Sequence, residues 1–121
     1  MIYTIFMETK EVVLNGRKYH CPVELVIELV SGKWKLLILR ELMKGKRRFS
    51  EIHRAIPGIT QKMLTKQLRE LERAGLVNRK VYPQVPPKVE YSLTDVGKSL
   101  ESVFDAMHRW GLMYMERFSR K

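Results

Sequence analysis

The chain contains stretches in which apolar residues recur every three or four positions and stretches in which every second residue is apolar. The first pattern predicts helices, because this spacing places apolar side chains on one helical face. Five helices are predicted, at residues 22–30, 33–44, 51–56, 60–74 and 94–118. In the first of them we expect a buried face made of Val23, Val26, Ile27 and Val30. We expect Trp34, on the second, to pack in the core.

The second pattern predicts strands at residues 76–82 and 88–93. In the later strand Val89, Tyr91 and Leu93 alternate with polar residues, so one side should face a core. The loop between the strands, residues 83–87, contains three prolines and is expected to be stiff. Residues 12–19 predict a hairpin around Asn15 and Gly16, which both tolerate positive φ. Residues 47–49 are expected to be briefly extended.

Residues that cap or end helices stand at the predicted boundaries. Ser50, Thr60 and Thr94 stand at the starts of predicted helices and carry hydroxyl groups that can accept hydrogen bonds from free backbone N–H groups. Gly45 and Gly75 follow predicted helices, where glycine is a common stop. These signals support the boundaries that the apolar spacing gives.

The predicted order is helix, helix, short strand, helix, helix, strand, loop, strand, helix. Helices followed by a two-stranded ribbon are typical of a winged helix-turn-helix. We therefore predict an α+β, mainly α fold, with a two-stranded wing and dimerisation elements at both termini. The predicted units are a partner-facing segment or hairpin at residues 1–18, a DNA-binding domain at 19–94 and a dimerisation helix at 95–121.

The charge of the chain indicates the kind of partner. Its 121 residues suffice for one domain, and its formal net charge is +10, which favours nucleic acid or an anionic membrane surface. Eight of the ten net positive charges fall within residues 22–92, and the last predicted helix is nearly balanced. No apolar stretch is long enough to span a membrane. The charge distribution therefore favours DNA over a membrane.

The helix predicted at residues 60–74 has two contrasting faces. Leu64, Leu68 and Leu71 lie on one side, and the other side carries Lys62, Lys66, Arg69 and Arg73, called the basic face below. Basic and amide side chains bind phosphates and base edges, although an ordinary solvated helix face has a similar composition. The predicted DNA contacts are Arg47, Arg48, Thr60, Gln61, Lys62, Thr65, Lys66, Arg69, Gln84 and Lys88, with the wing residues expected on phosphates.

The last predicted helix carries an apolar row that is broad and aromatic. We predict that this row forms a homodimer interface, and the alternative is that it docks on its own core. Gly111 costs a helix about 1 kcal/mol relative to alanine, which indicates a close backbone approach or a bend. The predicted dimer face consists of Leu100, Val103, Phe104, Met107, Trp110, Gly111, Tyr114 and Phe118.

The single cysteine, Cys21, excludes an internal disulfide and favours a reducing, cytoplasmic setting. It directly precedes Pro22, where the partial positive charge of a helix start favours a reactive thiolate. Cys21 is thus a redox-sensing candidate for an oxidant or small electrophile, and the alternative is a small buried residue. The three histidines show no metal-ligand spacing, and no nucleophile–base set is present. We predict neither an enzyme, a metal site nor a cofactor.

Short motifs are spread along residues 19–111. They are Cys21-Pro22, Gly32-Lys33-Trp34, Arg48-Phe49, Pro57-Gly58-Ile59, Lys62-Met63-Leu64, Leu71-Glu72, Gly75-Leu76-Val77, Tyr82-Pro83, Pro86-Pro87 and Val89-Glu90-Tyr91-Ser92-Leu93-Thr94. With these motifs the chain resembles the HxlR-type winged-helix transcriptional regulators, relatives of the MarR group. The resemblance implies a cytoplasmic homodimer that binds an inverted-repeat operator and represses or activates nearby genes. It also implies that a cysteine at position 21 can sense oxidants or electrophiles.

Residues 1–18 and 117–121 follow no pattern of that family. The apolar residues 1–7 lack the basic start and the length of a secretory leader. They are either a partner-facing segment or an extension upstream of a natural start at Met7. For the whole chain, the leading prediction is a sequence-specific, dimeric transcriptional regulator. The alternatives are a sequence-tolerant architectural nucleic-acid binder and a protein-interaction module with the same fold.

Overall fold

The computed structural model describes residues 11–119. Residues 1–10 of the unit predicted at 1–18, and residues 120–121 of the unit predicted at 95–121, therefore lie outside the described residues. The element order matches the predicted series closely. The elements are β1 (Val12–Leu14), β2 (Arg17–Tyr19), α1 (Pro22–Val30), α2 (Lys33–Met43), β3 (Arg47–Arg48), α3 (Phe49–Ala55), α4 (Gln61–Arg73), β4 (Val77–Tyr82), β5 (Lys88–Leu93), α5 (Asp95–Lys98) and α6 (Glu101–Phe118).

The predicted N-terminal hairpin is present. β1 and β2 pair antiparallel, with Val12 opposite Tyr19. The two residues between the strands have positive φ, 53° at Asn15 and 76° at Gly16, the backbone that such a tight turn needs. The hairpin buries Tyr19 directly before the start of α1.

The core is formed by α2, α3, α4 and the inner side of the sheet. Trp34 packs against it while only partly buried, as expected. Burying these apolar side chains is the dominant stabilising contribution to the fold. The helical core residues are Ile38, Leu39 and Leu42 of α2, Ile52 of α3, Leu64, Leu68 and Leu71 of α4, with Ile56 and Ile59 in the connecting turn.

The buried face predicted for α1 is partly wrong. Val23 and Ile27 are 47% and 59% exposed, and no residue of α1 is fully buried. Val30 contacts the core as predicted, together with Leu29, which was not among the predicted residues. The inward side of α1 is therefore rotated away from Val23 and Ile27, which lie on the outside of the single chain.

The start of α3 also differs from the prediction. Ser50 is not the N-cap, and Phe49 is not extended, because the helix begins at Phe49 with Arg48 in the cap position. The Arg48 backbone N–H donates a hydrogen bond of 2.8 Å to the Glu51 carboxylate. This is the reciprocal bond of a capping box, in which the third helical residue reaches back to the cap.

The wing is a three-stranded antiparallel sheet with strand order β3-β5-β4. Arg47 of β3 and Arg79 of β4 both lie opposite Tyr91 of β5. The two-stranded ribbon predicted from the sequence is therefore extended by β3 on its free edge. The helical core with this sheet forms a winged helix-turn-helix.

The single helix predicted at residues 94–118 is two helices. Thr94 caps α5 as predicted, since its hydroxyl accepts a hydrogen bond from the Gly97 backbone N–H. The Leu100 backbone N–H donates a hydrogen bond to the Gly97 carbonyl, three residues back, instead of to the Val96 carbonyl four residues back. The Val96 carbonyl accepts a hydrogen bond from the Ser99 hydroxyl. The regular four-residue bonding is interrupted there, and α6 begins at Glu101.

Candidate nucleic-acid interface

The basic face lies on α4, whose start is fixed by a side-chain cap. The Thr60 hydroxyl accepts a 3.0 Å hydrogen bond from the Met63 backbone N–H, which satisfies one of the free donors of the first turn. Leu64, Leu68 and Leu71 are buried, as the sequence predicts. The opposite side is exposed, and it carries Lys62, Lys66, Arg69 and Arg73.

An ion pair between two helices anchors α4 to the core. The Lys35 ammonium of α2 lies 3.3 Å from the Glu70 carboxylate of α4, and the two side chains are only 12% and 24% exposed. Partial burial strengthens such a pair relative to one in water. The pair also neutralises Glu70, an acid that adjoins the basic face. The exposed surface of α4 is therefore more positive than its composition suggests.

Two predicted DNA contacts near the start of α4, Thr65 and Gln61, differ in the hydrogen-bonding groups that they can offer to DNA. The Thr65 hydroxyl donates a 2.9 Å hydrogen bond to the Gln61 backbone carbonyl, so its proton is already used. Its oxygen remains an acceptor. The Gln61 side chain is exposed at the first turn of the helix. Gln61 is thus the better placed of the two to read a base edge.

Arg47 and Arg48, predicted together as phosphate contacts, are placed differently. Arg47 donates a 2.8 Å hydrogen bond to the Lys46 backbone carbonyl, and its Nε lies 3.9 Å from the Glu41 carboxylate. Arg48 is exposed. Arg47 is therefore held by its own fold, while Arg48 presents its charge to solvent.

The wing contains a compact charge cluster that the sequence did not reveal. The Lys88 ammonium lies 3.5 Å from the Glu90 carboxylate and 4.5 Å from the centre of the Tyr82 ring. On the same ring, the Lys80 ammonium lies 4.9 Å from the centre. The Tyr82 hydroxyl donates a 2.9 Å hydrogen bond to Glu90. This bond, followed by the charge of Lys88, lowers the pKa of Glu90.

The two predicted wing contacts, Lys88 and Gln84, differ because only Lys88 belongs to this cluster. Lys88 is engaged with Glu90 and Tyr82, whereas Gln84 is exposed in the loop between the strands. Arg79, on the neighbouring strand, was not among the predicted contacts although it lies beside α4. Only the strand register reveals it, because the face that Arg79 occupies depends on its pairing with Tyr91.

The predicted dimer face divides into two parts. Leu100 and Phe104 are partly buried against the core of their own chain. The larger apolar residues of the other part are exposed: Val103, Met107, Trp110, Tyr114 and Phe118. The rings of Trp110, Tyr114 and Phe118 form a row with centre distances of 5.5 and 4.7 Å, the first pair stacked and the second tilted. A side chain at Gly111 would meet nothing within 4 Å, so no part of residues 11–119 makes the close approach expected there.

Cys21 occupies the N-cap position of α1 and is partly exposed. Its side chain makes no capping hydrogen bond, and Pro22 follows at the first helical position. Within residues 11–119, no group of three histidine, cysteine or acidic side chains is arranged to hold a metal ion. Nor is any helix of this part of the chain long and apolar enough to cross a membrane.

Comparison with known proteins identifies the family. The sequence model described as HxlR-like helix-turn-helix matches residues 29–119, which is most of the chain. The chain belongs to the HxlR family. A relative from Methanothermobacter thermautotrophicus, an uncharacterised HTH-type transcriptional regulator, is 58% identical over 101 residues, covering 84% of this chain and 77% of the relative. Members of this HxlR family are transcriptional regulators with a DNA-binding fold, and this chain is one of them rather than an enzyme.

Two solved structures of HxlR relatives share the fold. A crystal structure of the HTH-type regulator YtcD matches with a TM-score of 0.75 and 54% identity, covering 78% of this chain and 97% of that one. The redox regulator HypR in its reduced form matches with a TM-score of 0.72 and 52% identity, covering 76% of this chain and 91% of that one. These likenesses agree with the winged helix-turn-helix described above.

Proposed function

We propose that this HxlR regulator acts in the cytoplasm as a homodimer that binds an inverted-repeat operator through α4. The observation that supports this proposal is the separation of faces on α4. Its leucines are buried against the core and its basic face is exposed, so the helix can enter a major groove without disturbing the fold. Gln61, Lys62, Thr65, Lys66 and Arg69 are the proposed contacts on this helix.

The proposed DNA contacts outside α4 differ in whether their side chains are free or already have partners within the fold. Arg48 and Gln84 are exposed and can reach the DNA backbone, and Thr60 keeps its place at the helix start. Arg47 and Lys88 have partners within the fold, so each must exchange an internal contact for a phosphate. We therefore expect their substitution to weaken DNA binding less than substitution of Lys66 or Arg69.

A palindromic operator requires a two-fold protein, because each half-site presents the same groove to one copy of α4. The exposed part of the dimer face supplies the surface for a second copy. Trp110 and Phe118 are 62% and 63% exposed, which is unusual for large apolar side chains of a monomer. Val23 and Ile27, on the outside of α1, add further apolar surface available to a partner.

The proposal predicts a specific response to substitution on the basic face. Lys66→Ala and Arg69→Ala should each weaken binding to an operator by about 5- to 150-fold, since each removes a charged contact worth about 1–3 kcal/mol. Arg109→Ala on α6 is the matched control, because it removes the same charge from an exposed position outside α4. Titration of each variant into duplex DNA taken from beside the gene that encodes this protein, at several salt concentrations, measures these affinities.

The same titration distinguishes the alternatives. If the protein is a sequence-specific regulator, the wild type should bind the operator at least about a thousandfold more tightly than scrambled duplex at physiological salt. Equal affinities with equal salt slopes would instead indicate a sequence-tolerant architectural binder. Absence of duplex binding would indicate a protein-interaction module. A fall in the thermal midpoint of Lys66→Ala or Arg69→Ala would contradict the assignment of faces.

Cys21 is the proposed redox-sensing residue. Its place at a helix start and its partial exposure support this role, and the structural relative HypR is a redox regulator. Because Cys21 is the only cysteine, a response requires an adduct or a disulfide between two subunits.

We expect diamide or a quinone to release the wild type from its operator and to leave Cys21→Ser bound. Gel shift measures the release, with Cys21→Ala as a second thiol-free variant. Subsequent dithiothreitol should reverse release by diamide, which forms a disulfide, and not release by a quinone, which forms a thioether adduct. Release of both variants at the wild-type concentration of oxidant would show that Cys21 does not sense it.

A further inference from the structure

We propose that the cleft between α4 and the wing binds a phosphate of the DNA backbone, with Arg79 as its main ligand and Arg69 as its second. The cleft encloses about 360 Å³, which is enough for a phosphodiester group. This inference rests on the proposed function, since it requires α4 to face a duplex. It adds a contact on the inner side of the wing, away from the wing loop.

The two walls of the cleft carry polar residues, and its floor is formed by buried or partly buried apolar residues of α3 and β5. α4 supplies Thr65 and Arg69, and β4 supplies Arg79. A ligand resting on an apolar floor is shielded from water on one side, so the charged groups at the rim act on it more strongly. The remaining lining residues are Phe49, Val89 and Tyr91 on the floor side and Glu72 on α4.

The strand register explains why Arg79, and not its neighbour, faces the cleft. Arg79 lies opposite the buried Tyr91, so it shares the face of the sheet that is turned toward α4. Lys80 lies opposite Glu90 on the other face, and its ammonium rests over the Tyr82 ring. Two adjacent basic residues are thereby directed to opposite sides of the wing.

The charges around the cleft favour an anion. Arg69 and Arg79 bring two guanidinium groups to one cleft, and within residues 11–119 neither forms an ion pair with a carboxylate. Glu72 is the one acid in the lining, and it opposes anion binding. The balance of the lining is still positive, and a guanidinium binds a phosphate through two parallel hydrogen bonds.

The alternation along β4 provides a matched pair of variants. Arg79→Ala and Lys80→Ala remove the same charge from adjacent, exposed positions on opposite faces. Arg79→Ala should weaken binding to operator and to scrambled duplex alike, by about 5- to 30-fold, and should reduce the salt slope by about one, because a phosphate contact carries no sequence information. Lys80→Ala should change affinity less than about threefold, with the salt slope of the wild type.

The outcomes separate this inference from the proposed function. Equal losses in the two variants would show that only net charge matters, and an unchanged salt slope in Arg79→Ala would show that the cleft holds no phosphate. Either result overturns the inference. A wild type that does not distinguish operator from scrambled duplex overturns the proposed specificity, while the difference between Arg79→Ala and Lys80→Ala still tests the cleft. Far-ultraviolet circular dichroism confirms that both variants are folded, and Arg79→Lys should restore part of the slope.

Discussion

At the scale of single residues, the hydrogen bond between Tyr82 and Glu90 makes the wing sensitive to pH. The Tyr82 hydroxyl is the main cause that lowers the pKa of Glu90, and Lys88 adds to it. A carboxyl whose pKa is lowered in the folded state stabilises that state above its unfolded pKa. This stability is lost as the pH falls through the lowered value. The wing should therefore loosen in acid, below the ordinary range of a glutamate.

Tyr82→Phe tests this coupling, since it removes only the hydroxyl. We expect the pKa of Glu90 to rise toward its ordinary value of 4.5, because the bond that favours the carboxylate is gone. The side-chain carboxyl resonance of Glu90, followed by NMR during an acid titration, measures the change. Tyr114→Phe on α6 is the control and should leave the titration unchanged. A pKa of Glu90 that is the same in Tyr82→Phe and the wild type would contradict the assigned cause.

At the scale of elements, Gly97 fixes how α5 sits against the strand that leaves α4. Gly97 is buried, and a Cβ there would collide with the backbone carbonyl of Leu76 and approach the Leu93 side chain at 3.3 Å. The Leu76 carbonyl cannot easily move, because it accepts a 3.0 Å hydrogen bond from the Thr94 backbone N–H. The interruption between α5 and α6 comes directly after Gly97 in the chain, at residues 99–100.

Gly97→Ala should therefore destabilise the fold although alanine is the better helix former. Overpacking of this kind costs about 1–3 kcal/mol, which lowers the thermal midpoint by several degrees. Val96→Ala is the neighbouring control, since Val96 is largely exposed. Differential scanning calorimetry of both variants measures the effect. A midpoint for Gly97→Ala at or above that of the wild type would show that α5 shifts freely.

The elements that the sequence predicts well are those with local causes. The spacing of Leu64, Leu68 and Leu71 identifies both faces of α4, and Asn15-Gly16 identifies the hairpin turn. Features that depend on distant pairing were missed. β3 pairs with β5 as far as Arg48, opposite Glu90, and this pairing sets where the strand gives way to α3. The bond from Arg48 to Glu51 then closes the first turn of the helix.

The candidate site shows the same limit. The basic face could be predicted, because helical period alone separates its residues from the leucines. The sequence did not show that Arg47 approaches Glu41 of α2, that Lys88 lies over the Tyr82 ring of β4, or that Arg79 faces α4. Each of these depends on the register of a sheet or on a side chain from another element. A one-residue shift of β4 would exchange the positions of Arg79 and Lys80.

At the scale of the whole molecule, α6 carries more exposed apolar surface than a lone domain requires. No residue of α6 is buried, and the stacked rings of Trp110, Tyr114 and Phe118 line one side of it. Gly111 lies near that side, and the space beside it within the described chain is open. If the cost of glycine in a helix does reflect a close approach at Gly111, the approaching group lies outside residues 11–119, and the second copy proposed above is one source of it.

Tyr114→Glu tests whether this side of α6 joins two copies. A carboxylate in the middle of an apolar interface must lose its water without gaining a partner, so we expect the dimer to dissociate. Sedimentation should then give the mass of one chain, 14.3 kDa. Operator affinity should also fall, because a monomer binds only one half-site and loses the gain from binding both at once. Leu112→Glu makes the same change at an exposed position on another side of α6 and should remain dimeric. If both variants stay dimeric, or only Leu112→Glu dissociates, the two copies meet through a surface other than the predicted dimer face.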